Sequence, residues 1–516
     1  MEKIQSPLFK RTTKMNKKKN GVGELSDDLY KLIAIILYLI LMLFIGWYAY
    51  KKTDDLSDYM LGGRQLSPGV AALSAGASDM SGWLLMGLPG GIYVSGLVDA
   101  WIAIGLSIGA YLNWLLIAPR LRTYTEVSSN SITIPSFFEN RLKDETKMLR
   151  VVSALVILVF FTLYVSSGMV AGGVFFQNSF GLPYTVGLAI VSIVVLAYTL
   201  FGGFLGVSWT DTVQGLIMLV ALLLVPILAF GEIGGPGKAF DTIRSIDPNL
   251  LSLFNNASVL GIISALAWGL GYVGQPHIIV RFMAIRSVKD TKVARRIGIS
   301  WMVVSLIGAV LTAFAGLAFF TETAYDLKNP EAVFIQLGQI LFHPLFAGFV
   351  LAAILAAIMS TISSQLIVTS SALTEDLYKL IFRRSATDRE LVFFGRMAVL
   401  VVAIVAAFLA IGFGESETIL SLVAYAWAGF GASFGPIVVL SLYWRKLTNW
   451  GAISGMIAGA ITVIIWKETG LGEGLYEIVP GFIANLLVSI VVSLFTYRPN
   501  EEIEKEFDKS IELLNK

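Results

Sequence analysis

The chain contains no cysteine and only two histidines among its 516 residues. The lack of cysteine excludes disulfides, thiolate metal sites and cysteine nucleophiles. His277 and His343 lie far apart in sequence, which leaves little material for a histidine-based metal centre or a Ser-His-Asp enzyme. The sequence has no Walker-type phosphate loop and no nucleotide-binding fingerprint, so an ATP-driven pump is not expected on this chain alone. The common enzyme classes therefore find little support.

Charged residues are also scarce, at 14% of the chain against about a quarter in an ordinary soluble domain. Hydrophobic residues make up 56%, and the mean hydropathy is +0.75. The charges lie between long apolar runs, and a membrane-spanning helix needs roughly 20 mainly apolar residues. The sequence therefore predicts an all-α polytopic membrane protein embedded in a lipid bilayer, with no nucleic-acid partner, in preference to a soluble domain with a large core.

Apolar runs bounded by charge, glycine or proline predict thirteen transmembrane helices. Their limits are 30–50, 69–93, 97–119, 151–177, 184–203, 206–231, 257–277, 298–320, 345–370, 391–412, 417–442, 450–467 and 475–497. We expect residues 30–497 to form a single transporter domain. A basic tail at 1–29, predicted to be disordered, precedes it, and a tail at 498–516 follows it. The first run is too long for a cleavable signal peptide.

Lysine and arginine indicate the orientation, because cytoplasmic connections carry an excess of them. Alternate connections, beginning with 51–68 and ending with the C-terminal tail, hold most of these residues. The opposite connections hold Lys238, Arg244, Lys328 and Lys467. We therefore expect the N-terminus outside and the C-terminus in the cytoplasm. The basic segment MEKIQSPLFKRTTKMNKKKN disagrees with this pattern and is unexplained.

Two of the predicted spans are interrupted by glycine, serine and proline. The second contains SAGASDMSGWLLMGLPG, from Ser74 to Gly90, and the seventh contains AWGLGYVGQPH, from Ala267 to His277. Irregular backbone at membrane depth is tolerated only against protein or a water-filled cavity. The two spans open successive groups of five, 69–231 and 257–442. Breaks at corresponding positions of two halves indicate a transporter built from inverted repeats.

Several polar residues fall at one predicted depth. Asp79 lies near the middle of the second span, where an ionised side chain costs at least ~2.5 kcal/mol. It is either a structural aspartate at a helix break or a group that takes part in cation binding. Ser360 and Thr361, in ILAAIMSTISSQLIVTSS, and Tyr164 share that depth. Hydroxyls in membrane helices usually bond their own helix, but this coincidence predicts one small polar cavity.

Trp268, Tyr272 and Pro276 are spaced by four and share one face of a regular helix. They are either interfacial anchors or the wall of a small-ligand site, and the glycines between them favour the second interpretation. Asp211, in SWTDTVQ, is predicted to cap the start of a helix.

A family resemblance rests on seven strings. The strings are LSAGASDMSGWLLMGLPG, LGGR, SALVILVFFTLYVSSG, GGFLGVSWTDTVQ, WGLGYVGQPH, AAIMSTISSQ and YAWAGFGASFGP. They closely resemble the solute:sodium symporter family, and its bacterial sodium/proline symporters in particular. The resemblance runs from about Ile36 to Phe495. It implies the leucine-transporter-type fold, with two inverted five-helix repeats, one extra helix before them and two after. It also implies sodium-coupled import of L-proline across the bacterial plasma membrane by alternating access. Enzymatic activity and an obligate protein partner are not expected.

The resemblance also implies roles for individual residues. The sodium site would use the carbonyl oxygens of Ala77, Met80 and Ala357 and the hydroxyls of Ser360 and Thr361. Sodium coupling would involve Asp79, Ser81, Gly82 and Arg64. L-proline binding would involve Ser78, Tyr164, Trp268, Tyr272 and Pro276.

Other functions remain as alternatives. A sodium-coupled symporter for pantothenate or a sugar is the nearest, and the aromatic set around Tyr272 disfavours it only through the resemblance. An ion channel would need a continuous polar lining, whereas the polarity here is local. A membrane sensor normally carries an appended signalling domain, which we do not expect in the tail at 498–516. An intramembrane enzyme would need an activated nucleophile, and no Ser-Lys or Asp-Asp pair stands out at matched depth.

Overall fold

The computed structural model describes residues 26–52, 56–255, 257–413 and 417–514. The regular secondary structure of these residues is helical, and the bridge between Leu66 and Ile285 is the one strand-like pairing among them. Apart from residues 26–29, the predicted basic tail lies outside the described residues. The predicted all-α class is confirmed.

The helices up to the middle of the chain are α1 (Asp27–Tyr50), α2 (Leu56–Leu61), α3 (Pro68–Asp79), α4 (Leu88–Ser95), α5 (Ala100–Leu112), α6 (Ala118–Val127), α7 (Ile134–Leu142), α8 (Met148–Phe180), α9 (Tyr184–Ile233) and α10 (Pro236–Ile246). Those that follow are α11 (Val259–Leu266), α12 (Gly271–Gly274), α13 (Pro276–Ala284), α14 (Asp290–Thr323), α15 (Val333–Leu341), α16 (Pro344–Ser371), α17 (Asp388–Phe413), α18 (Ile419–Tyr443), α19 (Asn449–Glu468), α20 (Ile478–Thr496) and α21 (Glu501–Leu514). Widened π-type turns at Trp83–Gly87, Asn113–Ile117 and Ala372–Phe382 adjoin α4, α6 and α16.

Ten helical stretches in the described part of the chain are long and apolar enough to cross a membrane. An eleventh span results if Val259–Gly274 and Pro276–Ala284, bent by 46°, count as one. The two other predicted spans coincide with shorter apolar helices, Trp83–Ser95 and Tyr184–Leu200. The structure thus supports a multi-pass membrane protein of about ten or eleven clear spans, fewer than the thirteen that the apolar runs predict.

Local backbone geometry explains the shorter helices. In the second predicted span, Met80 leaves the helical region at ψ 71, and the helix does not resume until Trp83. In α9, Gly203 adopts φ +56 and ψ −162 and kinks the helix, a conformation that favours glycine. In the seventh predicted span, Gln275 is extended at ψ 104, because the following Pro276 disfavours helical geometry before it. Both predicted interruptions are therefore present.

Helix starts are satisfied by capping hydroxyls. A serine or threonine side chain accepts a hydrogen bond from a first-turn amide of α1, α3, α7, α11, α18 and α19 (Ser26, Ser67, Thr133, Ser258, Thr418 and Thr448). First-turn amides have no partner within the helix and are costly to leave unpaired in an apolar environment. These caps fix where each helix begins.

Glycines let the bent helix approach α5 closely. A Cβ added at Gly109 would lie 2.2 Å from the carbonyl oxygen of Gly269, and one added at Gly105 would lie 2.6 Å from the carbonyl oxygen of Leu266. In lipid, small residues of this kind allow backbones to pack directly against each other. The glycines of α5 therefore hold the irregular stretch 267–270 in place.

We predict that Gly109→Ala destabilises the folded protein by about 1–3 kcal/mol, because the methyl group has no room beside backbone atoms that cannot rotate away. Gly231→Ala is the matched control, since a helical Cβ there meets nothing within 4 Å. Thermal unfolding of the detergent-solubilised variants measures the effect. Equal melting temperatures for Gly109→Ala and Gly231→Ala would contradict this packing.

Candidate functional site

Four of the five groups predicted to hold sodium lie together where α3 meets α16. The Ser360 hydroxyl donates to the carbonyl oxygens of Ala77 at 2.7 Å and of Ala357 at 3.1 Å. The Thr361 hydroxyl donates to the same Ala357 oxygen at 3.3 Å. Met80 follows as the first non-helical residue of the break. All these groups are neutral oxygens, the donor type that a hard cation prefers.

Asp79 joins the two broken helices. It is 2% exposed, and its Oδ2 accepts a hydrogen bond from the Tyr272 hydroxyl of α12. Its Oδ1 has no hydrogen-bond partner among the described residues. The carbonyl oxygen of Tyr272 in turn accepts from Asn113 at 3.0 Å. A buried carboxylate thus ties the break after α3 to the 3₁₀ and α-helical turns before Gln275.

Tyr164, from α8, faces this same point. Its hydroxyl lies near Asp79, Ser81 and Tyr272 and has no hydrogen-bond partner among the described residues. Asp79 and Tyr164 are therefore neighbours in the folded chain. Gly82 completes the break, and a Cβ there would lie 3.0 Å from Ala171 Cβ, so the chain passes tightly between α8 and α16.

An aromatic cluster covers the other side of Asp79. Trp268 stacks on Trp427 at 6.5 Å and on Tyr476 at 5.5 Å between ring centroids. Tyr272 meets Trp427 edge-on at 5.1 Å, and Trp83 lies 6.2 Å from Trp268. The Trp427 indole donates to the Trp268 carbonyl oxygen at 2.8 Å. Trp268 and Tyr272 are thus buried in the bundle and are not interfacial anchors.

Two residues predicted to bind L-proline, Ser78 and Pro276, make no side-chain hydrogen bond with Asp79 or Tyr272 in the described part of the chain. The Ser78 hydroxyl donates to the Ala75 carbonyl oxygen of its own helix at 3.1 Å. Pro276 begins α13 and carries His277 beside Tyr164, with ring centroids 6.0 Å apart. Neither ring nitrogen of His277 has a hydrogen-bond partner among the described residues.

The site is closed in this conformation. The cavity beside Asp79, Asn113 and Tyr272 has a volume of about 20 Å³, room for about one water molecule. A solute of amino-acid size needs the surrounding helices to separate before it can enter.

A buried ion pair lies about one helical turn from the predicted sodium residues. Arg281 of α13 and Asp211 of α9 are 3.1 Å apart, with side chains 1% and 0% exposed. Ser74 donates to Asp211 at 2.7 Å, and Arg281 donates to Ser364 at 2.6 Å. Ser74 precedes Ala77 by three residues, so this network and the predicted sodium residues share α3 and α16.

The prediction that Asp211 caps a helix is wrong. The helical geometry is interrupted at Gly203, but Asp211 lies eight residues later, beyond the first turn that follows the kink. Its Oδ2 accepts hydrogen bonds from the Ser74 hydroxyl and the Arg281 guanidinium. Sequence reasoning also missed Arg281, which it counted among the basic connections, and the aromatic partners Trp83 and Trp427. Arg281 could have been found as a charged residue just after the broken seventh span. Trp83 and Trp427 could have been found as aromatic residues within glycine-rich strings.

Arg64 lies apart from this site, at the end of the bundle that carries the basic connections. Its guanidinium donates to the carbonyl oxygens of Met283 at 2.7 Å and Ser131 at 2.6 Å, and to Asn130 Oδ1 at 3.0 Å. Burial lowers the pKa of Arg64 to about 10, and the neighbouring Arg122 acts in the same direction. Arg64 therefore fastens the segment before α3 to the end of α13.

The chain is similar in sequence to known proteins along most of its length. The sequence model described as the sodium:solute symporter family matches residues 59–459. The high-affinity proline transporter PutP of Bacillus subtilis is 63% identical over 467 residues, which cover 90% of this chain and 98% of that protein. The osmoregulated proline transporter OpuE of the same organism is 56% identical, with 94% and 99% coverage. A Staphylococcus aureus protein named sodium/proline symporter is 53% identical, with 92% and 95% coverage.

A solved structure shows the same fold. The outward-open, substrate-bound state of a Na+-coupled sialic acid symporter superposes with a TM-score of 0.76 at 20% identity, covering 91% of this chain and 98% of that one. Mhp1, a nucleobase-cation-symport-1 family transporter, gives a TM-score of 0.52 at 13% identity, with 87% and 98% coverage. At these identities the likeness concerns the fold alone.

We predict that Arg281→Met destabilises the protein by about 3–5 kcal/mol, because it leaves the Asp211 carboxylate buried without its partner. Adding Asp211→Asn to Arg281→Met should recover much of that loss, since no buried charge remains. Unfolding of the purified variants in detergent measures both. A double variant no more stable than Arg281→Met would contradict the pairing.

Proposed function

The chain belongs to the sodium:solute symporter family, and we propose that it couples the inward movement of sodium to the import of L-proline. The observation that carries the proposal is the meeting of two broken helices at Asp79 and Tyr272, in a chain with relatives named as proline transporters along almost their whole length. Its relatives are transporters, which argues that it is not an enzyme. Sodium is itself transported in this reaction, and its movement drives the import of L-proline.

For sodium, we propose the carbonyl oxygens of Ala77, Met80 and Ala357 and the hydroxyls of Ser360 and Thr361. The Ser360 and Thr361 oxygens already lie against two of these carbonyls. A hydroxyl rotates to suit its partner, so the same oxygens serve a cation once their protons turn away. Sodium would replace the hydrogen bonds that now hold α3 to α16.

For coupling, we propose that sodium fixes the break after α3 and thereby places Asp79. Asp79 holds Tyr272 through its hydrogen bond, and Ser81 and Gly82 shape the same turn beside α8 and α16. A cation that orders this turn improves the substrate site, and by thermodynamic reciprocity the substrate improves the cation site. Arg64 would act at a distance, by holding the end of α13 closed until the cycle requires it to open.

For L-proline, we propose that the apolar ring lies against Trp268 and Tyr272, with Pro276 shaping the end of the pocket. Its charged ends would meet hydroxyls, including those of Tyr164 and Ser78, and backbone groups freed by the breaks. Aromatic faces also attract a cationic ammonium group, which suits the secondary amine of proline. The closed aromatic cluster around Trp268 supports this assignment by its position next to Asp79.

We infer thirteen transmembrane helices in the leucine-transporter-type arrangement. The interrupted stretch 68–95 and the short limb 184–200 would then cross the membrane in addition to the eleven clearer spans. The inverted repeats would be 69–231 and 257–442, with one helix before and two after, in a transporter domain of 30–497. The distribution of lysine and arginine supports an external N-terminus and a cytoplasmic C-terminal tail in the bacterial plasma membrane.

Alternating access follows from the closed site. Sodium and proline would enter from the outside, and one helix bundle would then rock against the other to release them inside. The Asp211–Arg281 network joins α3, α9, α13 and α16, so opening toward the cytoplasm would have to rearrange its members. We place no protein partner in this cycle.

We predict that the protein in sealed proteoliposomes accumulates radiolabelled L-proline only under an inward sodium gradient. Unlabelled proline should compete, and pantothenate, sugars and unrelated amino acids should not. Uptake without sodium stimulation would overturn the coupling. Equal competition by another solute class would replace proline as the substrate and leave the family unchanged.

We predict that Thr361→Ala raises the sodium concentration needed for half-maximal uptake by about tenfold, as expected for the loss of roughly 1.4 kcal/mol of binding free energy. Thr369→Ala is the matched control, because Thr369 lies on the same helix and likewise bonds only its own backbone, two turns away. Uptake by Thr361→Ala with an unchanged sodium dependence, at normal membrane insertion, would remove Thr361 from the sodium site.

A further inference from the structure

A cavity of about 520 Å³ lies where the last two spanning helices reach one boundary of the bundle. Its wall combines the end of α7, the loop before α19, the end of α20 and the start of α21. Since α20 ends at Thr496 and α19 begins at Asn449, the cavity stands at the level where two apolar spans end. Small-molecule sites typically have volumes of about 300–1,000 Å³. None of the residues that line this cavity lines the cavity beside Asp79.

The charged groups that line the cavity are mostly cationic. Among the described residues they are Lys143, Arg445, Arg498 and Glu504. Lys143 pairs with Glu506 at 2.6 Å, and Arg445 pairs with Asp508, so α21 holds these two cations in place. Arg498 is exposed and makes no hydrogen bond or ion pair with the described part of the chain. Its positive charge is therefore available to a ligand.

The outer edge of the same cavity is apolar and uncovered. Phe495, in the last turn of α20, is 88% exposed, and Trp450, in the first turn of α19, is 47% exposed. Aromatic residues at the ends of spanning helices characteristically lie at the level of the lipid headgroups. The cavity therefore offers cations on one side and a surface for hydrocarbon on the other.

We propose that this cavity binds the phosphate headgroup of an anionic phospholipid. Guanidinium groups match phosphate oxygens in paired hydrogen bonds, which assigns the phosphate to Arg445 and Arg498. Basic pockets at the ends of membrane helices are suited to anionic headgroups. A free phosphate ion offers the same oxygens but no acyl chains, so Phe495 and Trp450 favour the lipid. The site is independent of proline and sodium.

Quenching of Trp450 fluorescence tests the proposal on the full chain. The protein is reconstituted in phosphatidylcholine vesicles that contain brominated phosphatidylglycerol or brominated phosphatidylcholine, and Trp450→Phe identifies the part of the signal that Trp450 contributes. We expect stronger quenching of Trp450 by the brominated anionic lipid. Equal quenching by the two lipids would overturn the proposal.

Charge variants separate a site from general surface attraction. Loss of a charge-assisted hydrogen bond to the phosphate should cost at least about tenfold in affinity. Arg498→Gln should therefore weaken the preference by at least about tenfold, and Arg445→Gln with Arg498→Gln should abolish it. Arg384→Gln is the matched control, because Arg384 is exposed in the loop after α16, at the same end of the bundle, and does not line the cavity. Equal losses for Arg498→Gln and Arg384→Gln would show a nonspecific surface effect and overturn the site.

A soluble phosphate is distinguished by competition. Inorganic phosphate is compared with chloride at equal ionic strength in the same vesicles. Quenching that survives phosphate supports the lipid. Quenching that phosphate removes and chloride does not would assign the cavity to a soluble phosphate and overturn the lipid assignment.

Discussion

The hydrogen bond from Tyr272 to Asp79 is the contact on which the rest of the site depends, because it joins two helices that are both broken at membrane depth. A broken helix in lipid leaves backbone groups that only protein or enclosed water can satisfy. Asp79 and Asn113 each bond Tyr272, and Ser360 bonds the carbonyl of Ala77. The polar groups of the two breaks are therefore satisfied by each other, by Asn113 and by Ser360, and not by lipid.

The sequence predicted much of this arrangement from glycine, proline and depth. The break near Asp79 lies among glycines and serines, which weaken a helix, and the break before Pro276 follows from the effect of proline on the preceding residue. The agreement in depth of Asp79, Tyr164, Ser360 and Thr361 follows from counting along spans, since a helix rises by a fixed amount per residue. These inferences use only local chemistry and the thickness of the membrane, and both are contained in one linear sequence.

The parts of the site that the sequence did not predict depend on which helices pack against each other. A single sequence carries no such information. Asp211 was interpreted as a cap because a predicted loop stood before it, whereas its carboxylate accepts from Ser74, Arg281 and Ser364 on other helices. Arg281 was counted with the basic connections, although α13 carries it into the bundle, where Asp211 neutralises it. Two of the thirteen predicted spans coincide with shorter apolar helices, because hydropathy does not distinguish a full span from a short limb beside a break.

The two polar layers differ in charge, and that difference separates their roles in the proposed cycle. The Asp211–Arg281 pair satisfies its own charges, so it can stay buried without an ion. The layer at Ala77, Ala357, Ser360 and Thr361 consists of neutral oxygens. In the proposed cycle it would take up sodium without first releasing a bound charge. Helices α3 and α16 contribute to both layers. In the proposed cycle, sodium bound at Ala77 and Ser360 would therefore affect the Asp211–Arg281 network through these two shared helices.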